Sequence, residues 1–218
     1  MKRILSVLVA LLLLTGCAAS GPRTSEESTM PAAQSAEFAC DAVFFGDSIT
    51  ADGNFDELFP ALRVVNLGVY GDRLEDLLRR VPRVKEERPA RIFLLGGINS
   101  LTPSNAESCA GQYRTLLVSL RRACPEADIC VQTVLPVAEQ IDQDAHINDA
   151  VRSFNRMLRE LADELGMDCI DLYACYERDG FLDPALTRDG LHLNFNAYGP
   201  WADAVRPFLG ETKHGDIQ

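Results

Sequence analysis

A three-layer α/β/α sandwich around a five-stranded parallel sheet is the fold class predicted for residues 38–218 of this 218-residue chain. Three observations predict it. Five short, largely apolar runs occur at residues 42–45, 63–67, 91–95, 129–134 and 168–171, as expected of strands covered on both faces. Longer stretches of helical period separate them, giving the order β-α-β-α-β-α-β-α-β-α of a sheet with helices on each side. Glycines and polar residues gather directly after the runs, where loops outside the carboxyl ends of parallel strands carry reactive groups.

The chain opens on Lys2 and Arg3, continues through an apolar segment over residues 4–14 and closes on Thr15-Gly16-Cys17. This apolar segment is shorter than the ~17–25 residues of a spanning helix and has the make-up of a secretory signal peptide. L-T-G-C resembles the bacterial lipobox, which implies cleavage after Gly16 and a lipid on Cys17. Residues 1–16 are therefore expected to be a lipoprotein signal peptide. Residues 17–37, rich in Ser, Thr, Ala, Pro and Glu, have too little apolar surface to offset their ordering entropy and read as a flexible tether. The expected location is extracytoplasmic, on the periplasmic or cell-surface side of the bacterial envelope, with the lipid as the only membrane contact.

The first run, A-V-F-F, stops at Gly46-Asp47 and delivers a hydroxyl, Ser48. After the second run, Leu74, Leu77, Leu78 and Val81 recur at helical spacing as far as Pro82, where the helix is expected to end. A helix over residues 106–123 places Tyr113, Leu116, Leu117 and Leu120 on one face, with Asn105 or Ser104 as its cap. Another over residues 147–165 presents Val151, Phe154, Leu158 and Leu161 and ends at Gly166. A last helix from about Asn196 turns Trp201, Val205 and Phe208 inward. No internal repeat is present.

The formal net charge is −11, and loss of Lys2 and Arg3 with the signal peptide makes it more negative. Nucleic acid is excluded as a partner, because phosphate binding needs a basic patch. Besides Cys17 there are six cysteines, Cys40, Cys109, Cys124, Cys130, Cys169 and Cys175. In an exported chain six permit up to three disulfides, with Cys124–Cys130 and Cys169–Cys175 as local candidates; six reduced, buried thiols are the other reading. The absence of any C-x-x-C or H-E-x-x-H spacing leaves no expected metal site.

A serine becomes a nucleophile only with a base, a group that orients the base and donors for the developing oxyanion. Three histidines could be the base. His214 lies in the polar C-terminal tail and His146 among Asp142, Asp144 and Asp149, whereas His192 sits in D-G-L-H-L-N with Asp189 three residues earlier. The turn at Gly190 lets one carboxylate oxygen meet one ring nitrogen while the other nitrogen faces Ser48. N-L-G-V-Y-G-D after the second run and G-G-I-N after the third supply candidate donors: backbone N–H groups near Gly71, and the Asn99 amide.

F-G-D-S-I-T, V-V-N-L-G-V-Y-G-D, L-L-G-G-I-N-S and D-G-L-H-L-N, in this order, resemble the four blocks of the SGNH (GDSL-like) hydrolases. More particularly, the chain is similar to the branch that includes platelet-activating-factor acetylhydrolase-like esterases and microbial acetyl- and acyl-esterases. The resemblance implies a flavodoxin-like sandwich and a cofactor-free serine esterase acting through an acyl-serine. It assigns Ser48 as nucleophile, His192 as base and Asp189 as its orienting acid. The backbone N–H groups of Ser48 and Gly71 and the side chain of Asn99 match the oxyanion donors. The third block departs from the family's G-x-N-D, with Ser100 where Asp is common. The substrate expected is a small-molecule or glycan ester with a short acyl group, acetyl above others. The alternatives are a lysophospholipase or thioesterase on the same site, and a degenerate lipoprotein that only binds a glycan or protein. Oligomeric state is left open.

Overall fold

The computed structural model describes residues 38–210, so the signal peptide, Cys17 and the tether, as well as His214, lie outside the described residues. Five strands, β1 (Cys40–Gly46), β2 (Val64–Gly68), β3 (Pro89–Leu95), β4 (Asp128–Gln132) and β5 (Asp168–Ile170), form a parallel sheet in the order β2-β1-β3-β4-β5. Side-chain alternation splits each central strand between two cores. Val43, Phe45, Ile92, Leu94, Ile129 and Val131 face one side. There they meet α3 (Leu74–Glu86), α4 (Ala106–Ala123) and α6 (Asn148–Glu164). Ala42, Phe44, Phe93, Leu95 and Cys130 face the other. That side is covered by α1 (Ser48–Ala51), α2 (Phe55–Leu58), α7 (Leu172–Tyr176) and α8 (Gly199–Leu209). A short helix, α5 (Glu139–Ala145), and a two-stranded hairpin, β6 (Glu177–Arg178) with β7 (Phe181–Leu182), complete the elements. The expected three-layer parallel sandwich is the observed fold.

Two expectations need correction. The helix read as ending at Pro82 runs on to Glu86, and Val84 continues its buried stripe of Leu74, Leu77 and Val81. Pro82 is on the exposed face, where the Leu78 carbonyl that loses its helical donor can be hydrated. The last helix starts at Gly199 rather than near Asn196, after a separate 3-10 turn at Phe195–Ala197. Asn105 stands at the start of α4 as expected, but its side chain turns back, accepting from the Thr102 N–H at 2.7 Å and donating to the Ser100 carbonyl at 2.9 Å.

All six described cysteines are free thiols. Neither local pair can close, because its members lie on opposite faces of the sheet: Cys124 and Cys169 pack with the α3/α4/α6 core, Cys130 and Cys175 with the other. Burial pushes the Cys130 thiol up to about 12 and those of Cys40 and Cys169 up to about 11, which keeps them protonated and unreactive.

Close approach at the carboxyl edge of the sheet depends on Gly68. A Cβ there would stand 2.2 Å from the Ala51 nitrogen, so only glycine lets β2 pass directly under α1. Asn66 then ties the two together, donating to the Thr50 and Gly53 carbonyls at 2.9 Å each and accepting from the Gly68 N–H at 2.8 Å.

On the other flank, two buried asparagines of α6 pair with the segment after β4 as a strand would. Asn155 accepts from the Val134 N–H at 2.8 Å and donates to its carbonyl at 2.7 Å; Asn148 does the same for Val137 at 2.9 Å each. Replacing Asn155 by Leu strands two buried backbone groups, each worth ~1–3 kcal/mol. The expected result is a stability loss of at least about 2 kcal/mol by urea unfolding.

Candidate active site

Ser48 is the first residue of α1, directly past the end of β1. Asp47 caps this helix by accepting from the Ile49 N–H at 3.0 Å, while the Ser48 N–H, at the first helical position, has no intrahelical partner. Its side chain reaches His192: Oγ lies 2.9 Å from Nε2. On the far side of the ring Nδ1 lies 2.7 Å from Asp189 Oδ2. Asp189 is locked by its other oxygen, Oδ1, which accepts from the N–H groups of Leu191 at 3.0 Å and His192 at 2.7 Å.

The loop that carries this pair is closed on itself. Thr187 Oγ1 donates to the His192 carbonyl at 2.7 Å and accepts from the Gly190 N–H at 2.8 Å, and Thr187 bridges Leu193 in antiparallel fashion. Gly190 takes a φ of +90°, a conformation that L side chains resist. Its carbonyl accepts from the Ala138 N–H at 2.8 Å, so the segment held by the two asparagines of α6 also supports the histidine loop. His146, by contrast, is exposed and ends α5 in the left-handed region, and no contact brings it to Ser48.

The two loops expected to supply oxyanion donors meet at Asp72. Asn99 donates one amide hydrogen to the Asp72 carbonyl at 3.0 Å, which fixes the amide and leaves its second hydrogen available. Gly71, at a φ of +78°, precedes Asp72 and is exposed; its N–H has no hydrogen-bond partner among the described residues. The Asp72 carboxylate is held in turn by Arg80 of α3, whose Nε donates to Oδ2 at 2.7 Å. Arg80 also donates to the Leu67 carbonyl at 2.9 Å and the Gly46 carbonyl at 3.1 Å, so one side chain joins the ends of β1 and β2 to this loop. Ser100, the departure in the third block, has a function here: its Oγ accepts from the Leu74 N–H at 2.9 Å and caps α3, tying the third loop to the second.

A model of the GDSL-like Lipase/Acylhydrolase family matches residues 44–199. The chain belongs to this family. Residues 1–18 match the prokaryotic membrane lipoprotein lipid attachment site, which makes this acylhydrolase a lipid-anchored envelope protein. Comparison with curated proteins finds no match. Among solved structures it is similar to a Streptococcus pneumonia protein described provisionally as a platelet activating factor, at 25% identity and a TM-score of 0.69, over 78% of this chain and 83% of that one. A GDSL-like lipase from Bacteroides thetaiotaomicron aligns at 21% identity and 0.66, over 78% and 87%. A lipase/acylhydrolase from Enterococcus faecalis aligns at 23% and 0.66, over 81% and 99%. The last two share the fold.

Two carboxylates flank the serine of this GDSL hydrolase, and their surroundings drive them apart. Burial pushes the Asp189 carboxyl up, but the His192 and Leu191 N–H groups and the imidazole outweigh it and hold the carboxyl at about 2. Asp189 is thus an anion, so the ring proton belongs on Nδ1, and Nε2 is left to accept from the Ser48 hydroxyl. Asp47 moves the other way. Burial raises its carboxyl to about 7, against the Ile49 N–H and His192, and no partner reaches its Oδ2 among the described residues. No group of three or more His, Cys, Asp or Glu is placed to hold a metal among the described residues.

The raised Asp47 value fixes a pH dependence. Between the ordinary 3.8 and about 7 the folded chain keeps a proton that the unfolded chain has released. Asp47 therefore lowers stability as pH rises through that window, and this contribution is complete above it. Asp47→Asn keeps the cap and removes the titration. Urea midpoints of the variant should gain on the parent chain from about pH 4 to about pH 8; a constant difference would contradict the assignment.

Proposed function

We propose that this acylhydrolase cleaves short acyl esters, acetyl esters above others, of small molecules or carbohydrates through an acyl-serine intermediate. The observation that carries the reading is the continuous Ser48–His192–Asp189 hydrogen-bonded chain at the carboxyl edge of the sheet. In this reading His192 Nε2 takes the Ser48 proton as Oγ attacks the ester carbonyl. The oxyanion accepts from the Ser48 and Gly71 N–H groups and the free amide hydrogen of Asn99. Collapse breaks the carbon–oxygen bond of the alcohol, which leaves with the proton from His192. Water, deprotonated by the same nitrogen, then releases the acid and restores Ser48. Asp189 keeps the ring in the tautomer both steps need.

A short acyl group is supported by the seating of the nucleophile. Ser48 is 4% exposed, with Ile49 and Thr50 buried beside it. An apolar cavity of about 280 Å³ lined by Phe38, Ala123, Cys124 and Pro125 lies at the amino ends of the strands, where it cannot receive an acyl chain from Ser48. Upstream, cleavage after Gly16, lipid on Cys17 and a tether over residues 17–37 would hold the domain outside the cytoplasm.

The test is hydrolysis of p-nitrophenyl acetate, butyrate and octanoate by the full-length protein in detergent. Turnover should fall with chain length and vanish in Ser48→Ala at an unchanged Tm. Undiminished turnover in that variant would sink the serine mechanism, and a rise with chain length would sink the short-acyl reading. Asn99→Ala should lose ~10²–10³ in kcat with little change in KM. Asp189→Asn, which favours the wrong tautomer, should lose up to ~10⁴.

A further inference from the structure

Three side chains beside His192 are placed on the surface in an unusual way. Tyr70 is 63% exposed and Phe195 is 74% exposed, yet the strip they form is tied down. The Tyr70 hydroxyl donates to Asp52, and its ring centroid is 6.5 Å from that of His192. Asp52, with its side chain only 2% exposed, also receives Arg188 at 2.6 Å. Arg188 donates to the Leu193 carbonyl at 2.8 Å and lays its guanidinium against Phe195, 5.1 Å from the ring centroid. Tyr70, Arg188 and Phe195 thus run as one strip, ring, guanidinium, ring, outward from the triad. Exposed apolar residues gathered at one place mark an interaction surface, and side chains ordered in advance bind at a lower entropic cost.

We propose that this strip is the subsite for the alcohol part of the substrate, and that the group it holds is a pyranose ring. The proposal rests on the short-acyl reading above. An acetyl group bonded to buried Ser48 is too small to reach Phe195, so whatever covers the strip belongs to the alcohol. A fatty chain is desolvated well only in an enclosed apolar slot, whereas this strip is open and carries a cation at its centre. A pyranose has an apolar C–H face and a rim of hydroxyls. The two rings suit the first. The second is suited by the N–H groups of Arg188 beyond those that bond the Leu193 carbonyl and Asp52, and by Asp189, 45% exposed against the His192 ring that Tyr70 approaches. The net charge of −11 also works against an anionic lipid surface as the occupant.

The experiment compares kcat/KM for 6-O-acetylglucopyranose, whose remaining hydroxyls are free, with that for ethyl acetate, which has no ring, using the full-length protein in detergent. Phe195→Ala should lower the ratio of the two about 10-fold or more, mainly through KM for the sugar ester, and Phe195→Tyr should restore it. An unchanged ratio would overturn the proposal. So would an equal loss on both esters, which signals damage to the triad, or a selective loss on p-nitrophenyl octanoate, which signals a chain-binding strip. If the unmodified chain turns over neither ester, the ester-hydrolase reading fails and this proposal goes with it.

Discussion

The hydrogen bond from the Ser48 hydroxyl to His192 joins residues 144 positions apart, and its 2.9 Å length is the constraint that the rest of the chain satisfies. Neither loop could hold it alone. Parallel pairing of β1 with β2 and β3 brings three strand ends to one edge, so that the serine, the loop of Gly71 and the loop of Asn99 start from a common line. The histidine loop arrives from the last quarter of the chain, braced by Ala138 below and by the Asp52–Arg188 ion pair above. Tyr198 adds a third brace, donating to the Ile49 carbonyl at 2.6 Å from inside the core where Phe44 stacks on Phe55 and Trp201 meets Phe55 edge-on.

Electrostatics at this edge divide the labour between groups of one type. Asp189, with three N–H donors, stays ionised and holds the imidazole; Asp47, one residue before the nucleophile and fully buried, makes a single hydrogen bond and keeps its proton up to about 7. A second full anion beside Ser48 would oppose the negative charge that gathers on the attacked carbonyl, so the burial of Asp47 serves the same end as the donors of the oxyanion loops. Arg80 supplies positive charge nearby, but it is engaged by Asp72 and by two strand-end carbonyls, and acts through the loop it fixes.

Strands and long helices were legible because burial on two faces and a 3.6-residue stripe leave marks in a single sequence. The D-G-L-H spacing was legible for a related reason: Asp189 and His192 are three residues apart and their bond is local. What escaped was non-local. Asn148 and Asn155 look like polar residues of an amphipathic helix until the segment after β4 is set against them, and Arg80 looks like any exposed cation of α3. Asp52 and Arg188 are 136 residues apart, and nothing in either neighbourhood announces the other. Pro82 misled because a proline's effect on a helix depends on which face it occupies. The Asp179-Gly180 turn between β6 and β7, with both residues at positive φ, was a signal present in the sequence and passed over.

The central claim is that the fold has activated one hydroxyl among many. Reaction of the full-length protein with a fluorescent organophosphonate, read by peptide mass spectrometry, tests it without reference to any substrate. The account predicts a single stoichiometric adduct on Ser48, formed rapidly in the parent chain and suppressed in His192→Ala. Absence of an adduct in folded protein, or labelling of Ser48 that does not depend on His192, would contradict it.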